Sequence, residues 1–306
     1  MLKYTIKRVL MLIPTIIGIT LFIYLIMSFV PGDPAELLSP PEATAEEVKV
    51  LRAELGLDKP VLVQYVNYMW DILHGDFGVS WFTKQPVIDE IVNRMPYTLS
   101  LGVLSTLIAS IISIPLGTLT AVKHNTPADY IVTFLCLLFA AMPGFWLAII
   151  LQIYLSLQTG WFPAYGMGTM RHFVLPVIAV CAASVATNIR STRTWVLDVI
   201  RSDYVRTARA KGASEVVVIM KHALRNALLP IVTGFGSAFA GVLGGSVVIE
   251  TVFAIPGIST YLTSAVKTRD MPIIMGCILV ISVFVGVVNL LVDLMYSVID
   301  PRVKYE

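Results

Sequence analysis

Six long apolar stretches recur along this chain, and no other feature of it constrains the fold as strongly. They run at roughly 9–30, 98–122, 130–157, 173–195, 228–252 and 272–296. A helix rises about 1.5 Å per residue, so about 20 apolar residues reach across the roughly 30 Å hydrocarbon core of a bilayer. Hydrocarbon offers no partner to backbone N–H and C=O groups, so a spanning segment must satisfy them itself. Helix does this. The alternating ten-residue strands of an outer-membrane barrel do not occur in the sequence. Composition agrees: 57% of the 306 residues are hydrophobic and 14% charged, against about 25% charged in ordinary soluble domains, and the mean hydropathy is +0.80. The sequence predicts an all-α integral membrane protein with six transmembrane helices, not a soluble enzyme.

The first span follows Lys3, Lys7 and Arg8, a layout shared with secretory signals. Its apolar run extends to about Val30, beyond the roughly 7–15 residues of a signal core, and no Ala-x-Ala cleavage pattern follows. It is expected to remain as an uncleaved span. With the N-terminus inside, fourteen of the 22 Lys and Arg fall on inner segments, among them Lys123 and the basic run from Arg190 to Arg225. That imbalance places both termini in the cytoplasm. Trp81, Phe82, Trp161, Phe162 and Tyr165 then fall near the outer boundary, where aromatic belts form. The three cysteines, Cys136, Cys181 and Cys277, sit in apolar runs and read as small buried hydrophobes.

Two spans carry ladders of small residues at four-residue spacing: Ser105, Ala109, Ser113 and Gly117 in the second, and Ser237, Gly241 and Gly245 in the fifth. Such ladders let helix backbones approach closely. They serve either packing inside the chain or contact with a second, similar chain. Pro14, Pro115, Pro143 and Pro176 are expected to bend or interrupt their helices. The outer segment of residues 31–97 is long enough to fold. Thr44 and Glu47 form a capping-box pattern, Gly56 can end that helix, and Pro60 suits a first helical position. Val61, Tyr65, Tyr68, Met69 and Ile72 form an apolar stripe for the interface or the bundle. Asp76-Phe77-Gly78 matches a kinase triplet in letters only, with no kinase context around it.

The most informative stretch lies on the cytoplasmic side, from Arg201 to Pro230. Ile200, Tyr204 and Ala208 share a helix face. Arg209 and Lys211 sit in its last turn, where cations favour the helix dipole. Gly212 can take the left-handed position that ends a helix. Ser214 can cap a second helix with Met220, Ala223 and Ala227 on its apolar side. The expected result is a helix, a glycine corner and a helix projecting from the membrane. Attraction of basic residues to anionic lipid explains the charge but not the corner.

Tyr204-Val-Arg-Thr-Ala-Arg-Ala-Lys-Gly212, followed by His222-Ala-Leu-Arg-Asn-Ala-Leu-Leu-Pro230, resembles the cytoplasmic loop of ABC-transporter permeases of the peptide/nickel importer family, and among these the first, B-type subunit. The resemblance extends over Pro31-Gly-Asp-Pro34, Leu55-Gly-Leu-Asp-Lys-Pro60, Gly75-Asp-Phe-Gly78, Val248-Ile-Glu-Thr251, Pro256-Gly257, Arg269-Asp270 and Asp300-Pro-Arg302. Of the general importer pattern Glu-Ala-Ala, three residues, Gly, only Ala208 and Gly212 match literally. Arg206 and Thr207 stand where the pattern has Glu and Ala, as they do in the peptide/nickel branch. The resemblance implies a type I importer permease fold in a prokaryotic inner membrane, with a first helix and helical outer loop (residues 1–97) and a core permease domain (98–306) whose coupling loop covers about 196–227.

It further implies that two permease chains, usually different, form the pathway above two ATP-binding subunits. Tyr204, Arg206, Thr207, Ala208, Arg209, Ala210, Lys211, Gly212, Ala213, Ser214 and Glu215 would contact the ATPase. An extracytoplasmic solute-binding protein would deliver di- or oligopeptides, or alternatively nickel or a metal chelate. ATP and Mg would be used by the partners, and this chain would bind no cofactor and no nucleic acid.

Ionisable residues at membrane depth invite functional readings. Glu250 either lines the pathway or its gate, with Ser237, Gly241 and Gly245, or reaches headgroup water. Asn289 and Asp293 can bond a neighbouring helix, and Arg190 and Arg193 are expected to snorkel to the inner interface. No glycine-rich phosphate loop ending in Gly-Lys-Ser/Thr occurs, and no serine-nucleophile elbow. His74, His124, His172 and His222 are scattered, so neither a catalytic set nor a metal site is expected. A self-sufficient secondary transporter is the competing class; it would need inverted repeats with paired broken helices.

Overall fold

The computed structural model describes residues 2–299, so Asp300, Pro301 and Arg302 lie outside the described residues. The described chain is helical, with one isolated bridge between Val79 and Pro86. Among the described residues five helices are long and apolar enough to cross a membrane, and a bent helix pair makes a sixth if the two form one span. The helices fall into two units, residues 98–255 with 287 onward, and residues 2–97 with 256–286.

In the first unit, α5 (Val87–Val122, from Thr98 on), α6 (Pro127–Ala141), α7 (Gly144–Leu151), α8 (Arg171–Ile200) and α11 (Arg225–Gly245) form the bundle, with α8 packed against α6, α7 and α11. The ladder on α5 is consumed here: Ser105, Ala109 and Ser113 are 2%, 1% and 0% exposed. At Gly117 a Cβ would lie 2.7 Å from Thr192 Cβ and 2.8 Å from the Ile189 carbonyl. Only glycine lets α5 and α8 come this close. Ala121, Val196, Ala227, Ile231 and Phe235 close the neighbouring core.

Two boundaries differ from expectation. The stretch 130–157 is not one rod: α6 and α7 meet at 94°. Pro143 lacks an N–H and forces Met142 into an extended conformation (ψ 123°), which ends α6. The stretch 228–252 is also interrupted. One apolar helix runs Glu215–Gly245, through α10 (Glu215–Val217), a π-helical segment (Val218–Leu224) and α11, and a separate short α12 (Val247–Val252) follows Ser246. Pro14, Pro115 and Pro176 stay inside unbroken helices.

In the second unit, α1 (Leu2–Phe29) supports the segment of residues 31–97. Tyr65 of α4 (Val61–Leu73) is buried, exchanges a 2.9 Å hydrogen bond with Thr20 and donates to the Ile17 carbonyl at 3.1 Å. Tyr24 donates to Gln64 at 3.0 Å. The apolar stripe therefore packs on α1. Helix α3 (Ala45–Glu54) has the capping box in full, and the two bonds from Thr44 hold the Glu47 carboxyl below its usual range. Gly56 (φ +69°) closes it with Leu57 N–H on the Arg52 carbonyl at 2.9 Å. Pro60 is the N-cap of α4, one place before the expected position. α2 (Pro34–Leu38) and α13 (Ile258–Thr268) complete the unit with the first part of α14 (Met271–Ile299). Asp270, 1% exposed, pins the loop after α4: its carboxylate accepts from Ser80 Oγ at 2.6 Å and from the Trp81 and Phe82 amides at 3.3 and 3.5 Å. Asp76 accepts from the Gly78 amide at 2.8 Å, a turn role.

Candidate functional site

The helix–corner–helix expected after α8 is present. α9 (Asp203–Ala210) ends in Gly212 at φ +81°. Gly212 N–H reaches the Arg209 carbonyl at 2.9 Å and Ala213 N–H the Ala208 carbonyl at 3.3 Å, the paired bonds of a Schellman ending. Glu215 then opens α10, and Arg209 bridges the corner to it, with Nη2 2.6 Å and Nε 3.0 Å from its carboxylate oxygens. Glu215 holds the Arg209 guanidinium still more firmly protonated. An exposed pair of this kind is worth under about 1 kcal/mol. Its effect is to fix a geometry.

Tyr204, Arg206, Thr207, Arg209, Ala210, Lys211, Gly212, Ser214 and Glu215 are exposed, and Ala208 and Ala213 are half-buried. The anchor is Val205, fully buried, which sequence reading passed over. Tyr204 is not the inward residue of its face. Its hydroxyl accepts from Asn226 Nδ2 at 3.1 Å while the smaller apolar Val205 takes the buried place. Ser214 occupies the cap position without a side-chain cap bond. Ala223 and Ala227 are buried as expected, but Met220 is exposed, because the π turn shifts its register.

The candidate pathway residues separate. Ser237, Gly241 and Gly245 are exposed, and added Cβ atoms at Gly241 and Gly245 would meet nothing within 4 Å. Both glycines border a groove of about 330 Å³ with Gly144, Ala179, Ala183 and Ser246. Glu250 is 0% exposed, so it does not reach headgroup water; Thr98 and Ser246 donate to its Oε1 at 2.9 and 2.8 Å. The break at Ser246 turns α12 so that Glu250 faces protein instead of lipid.

Two constellations were not foreseen. Arg193 does not snorkel: it makes a bidentate pair with Asp129 of α6, Nε and Nη2 each 2.8 Å from one carboxylate oxygen. Arg193 Nη2 also donates to His124 Nδ1 at 2.8 Å, which makes that nitrogen an acceptor. Asp129 reads as a helix-start residue in sequence, and its partner lies 64 positions away. Secondly, Ser105 Oγ, Thr106 Oγ1 and Asn188 Nδ2 are buried without hydrogen-bond partners among the described residues, around one small cavity with Ser184, Ala238 and Val242. The last three also border the groove. Small polar residues scattered through apolar helices were the available signal.

Among the described residues no cluster of three or more His, Cys, Asp and Glu is arranged to hold a metal ion. Residues 113–305 match the family described as binding-protein-dependent transport system inner membrane component, and residues 1–102 match the N-terminal part of such membrane components. The oligopeptide transport system permease protein AppB of Bacillus subtilis is 40% identical over 316 residues, covering all of both chains. The glutathione transport system permease protein GsiC of Escherichia coli is 40% identical over 306 residues, again with full coverage of both. In fold, the chain is similar to the MetNI methionine ABC transporter in inward-facing conformations: TM-score 0.61, 18% identity, 70% of this chain and 98% of that one. It is also similar to an amino acid ABC transporter solved with histidines: TM-score 0.52, 16% identity, 71% and 95% coverage. Five to six apolar helices of crossing length, the family match and full-length relatives lead to one assignment: the chain belongs to the binding-protein-dependent transport system inner membrane components, as a permease subunit of an ABC importer.

Proposed function

We propose that this permease imports short peptides, with glutathione or a tripeptide of similar size as a fitting cargo. The observation that carries the cargo class is the full-length 40% identity to permeases named for oligopeptides and for glutathione. Its α9–Gly212–α10 corner is the seat for a separate ATP-binding subunit, one for each of two permease chains, and an extracytoplasmic binding protein delivers the peptide. Support comes from the corner's form. Val205 and the Schellman bonds hold it, while its basic side chains stand exposed. Both termini lie in the cytoplasm, following the Lys and Arg distribution. The groove beside Gly241 and Gly245, with the unpartnered Ser105, Thr106 and Asn188 behind it, belongs to the pathway. Unpartnered polar atoms in a bilayer cost about 1–3 kcal/mol each, a cost relieved when water or a peptide backbone passes. MgATP drives the cycle from the partner subunits, by favouring one of two access states.

Inside-out and right-side-out membrane vesicles carrying the chain with its partner subunits test this. ATP-dependent accumulation of labelled glutathione or trialanine is expected, with crosslinks from a cysteine at Ala213 capturing a nucleotide-binding protein. Accumulation of nickel alone, or uptake that ignores ATP, overturns the assignment.

A further inference from the structure

The second unit contains a cavity of about 890 Å³, lined among others by Tyr24, Asp33, Arg52, Asp58, Gln64 and Arg269. Its size is that of a small-molecule site. Arg269 is the unusual member. It ends α13 in the left-handed conformation, φ +60°, a position that favours glycine and costs an L side chain about 1 kcal/mol. Its Nη1 is buried with no hydrogen-bond partner among the described residues. Gly32, at φ +113°, covers that nitrogen so closely that a Cβ there would lie 2.0 Å from Nη1. Two uncommon backbone conformations, from opposite ends of the sequence, thus converge on one guanidinium.

Among the described residues of the unit, no carboxylate lies within ion-pairing distance of Arg269. The adjacent Asp270 is turned away and engaged by Ser80, Trp81 and Phe82. Asp33 is engaged by Arg52 at 3.1 Å and by the Ala35 amide at 3.0 Å. A guanidinium cannot discharge itself by losing a proton. A partly desolvated cation with no carboxylate at ion-pairing distance favours an anion, and a carboxylate matches its fork of donors. Exposed Asp58 and Glu36 on the same cavity offer a place for an ammonium group.

We propose that this cavity binds a small-molecule carboxylate through Arg269, with the C-terminal carboxylate of a short peptide as its occupant. The identity of the occupant rests on the peptide reading above, but the site does not. Binding is measured by equilibrium dialysis on the full-length chain in lipid nanodiscs, with radiolabelled trialanine and trialaninamide and with no transport readout. Failure of ATP-driven uptake therefore does not touch this result. Trialanine is expected to bind about tenfold or more tighter than its amide. Arg269→Gln should weaken the acid alone and erase the difference. Gly32→Ala should do the same by displacing the guanidinium, and Arg269→Lys should keep part of the preference. Equal binding of acid and amide by the unaltered chain, binding of neither, or an Arg269→Gln loss shared equally by both, overturns the proposal.

Discussion

Gly212 allows the fold of the corner and its use to be tested apart. Its φ of +81° is left-handed, and an added Cβ would meet nothing within 4 Å. Replacement therefore has no packing cost inside this chain. What remains is the backbone term, about 1–2 kcal/mol for an ordinary L residue and less for Asn or Asp, which tolerate this region. Gly212→Ala is expected to cost about 1 kcal/mol locally, a factor of about 5 in the population of the formed corner. For a chain of this length it shifts the melting temperature by only about 2–4 °C. Gly212→Asn should cost less. Gly212→Asp has the same small backbone cost but adds a charge at the exposed tip. If the tip is seated in an ATPase, Gly212→Asp should abolish ATP-driven uptake in vesicles. The variant should still insert, purify and melt near the parent, while Gly212→Asn keeps most uptake. Normal uptake by Gly212→Asp refutes the seat, and failure of Gly212→Ala to insert refutes the claim that the corner is free of packing constraint.

Asp129→Asn should destabilise the first unit by about 3–5 kcal/mol, because it leaves Arg193 partly buried and uncompensated; thermal melting in detergent reads this, and an apolar replacement of both partners should recover much of the loss. Gly117→Ala should cost about 1–3 kcal/mol by pushing α5 off Thr192 and the Ile189 carbonyl. The same change at Gly241, a helical position with open space around it, should raise the melting temperature by about 1–4 °C, and equal effects at the two sites would contradict the packing described.

The crossings were legible because hydrocarbon leaves the backbone one solution and length fixes the count. The corner was legible because Arg209, Lys211, Gly212 and Ser214 are local signals read along a single strand of sequence. What stayed hidden was long-range or depended on register. Asp129 and Arg193 look independent until α6 and α8 pack. Proline gave an ambiguous signal: Pro143 breaks a helix, while Pro115 and Pro176 sit in helices whose neighbours tolerate the lost bond. The π turn at Val218–Leu224 has no composition cue, so the exposure of Met220 was not readable. Both small-residue ladders looked alike in sequence. Only packing shows that the one on α5 is spent within the chain and the one on α11 is open.

The 31 residues from Glu215 to Gly245 form a continuous helical path from the corner into the bundle, with no loop between. If the corner is the seat of an ATPase, this path is a lever of roughly 46 Å at 1.5 Å per residue. A swing of about 10° at the corner displaces its far end by roughly 8 Å, enough to open or shut a passage the width of a peptide chain. Slack in such a lever can arise where its winding loosens, at Val218–Leu224, and at Pro230, which lacks the N–H for a helix bond. Stiffening that turn should therefore change how much of a stroke reaches Gly245, without altering how firmly the stroke is received.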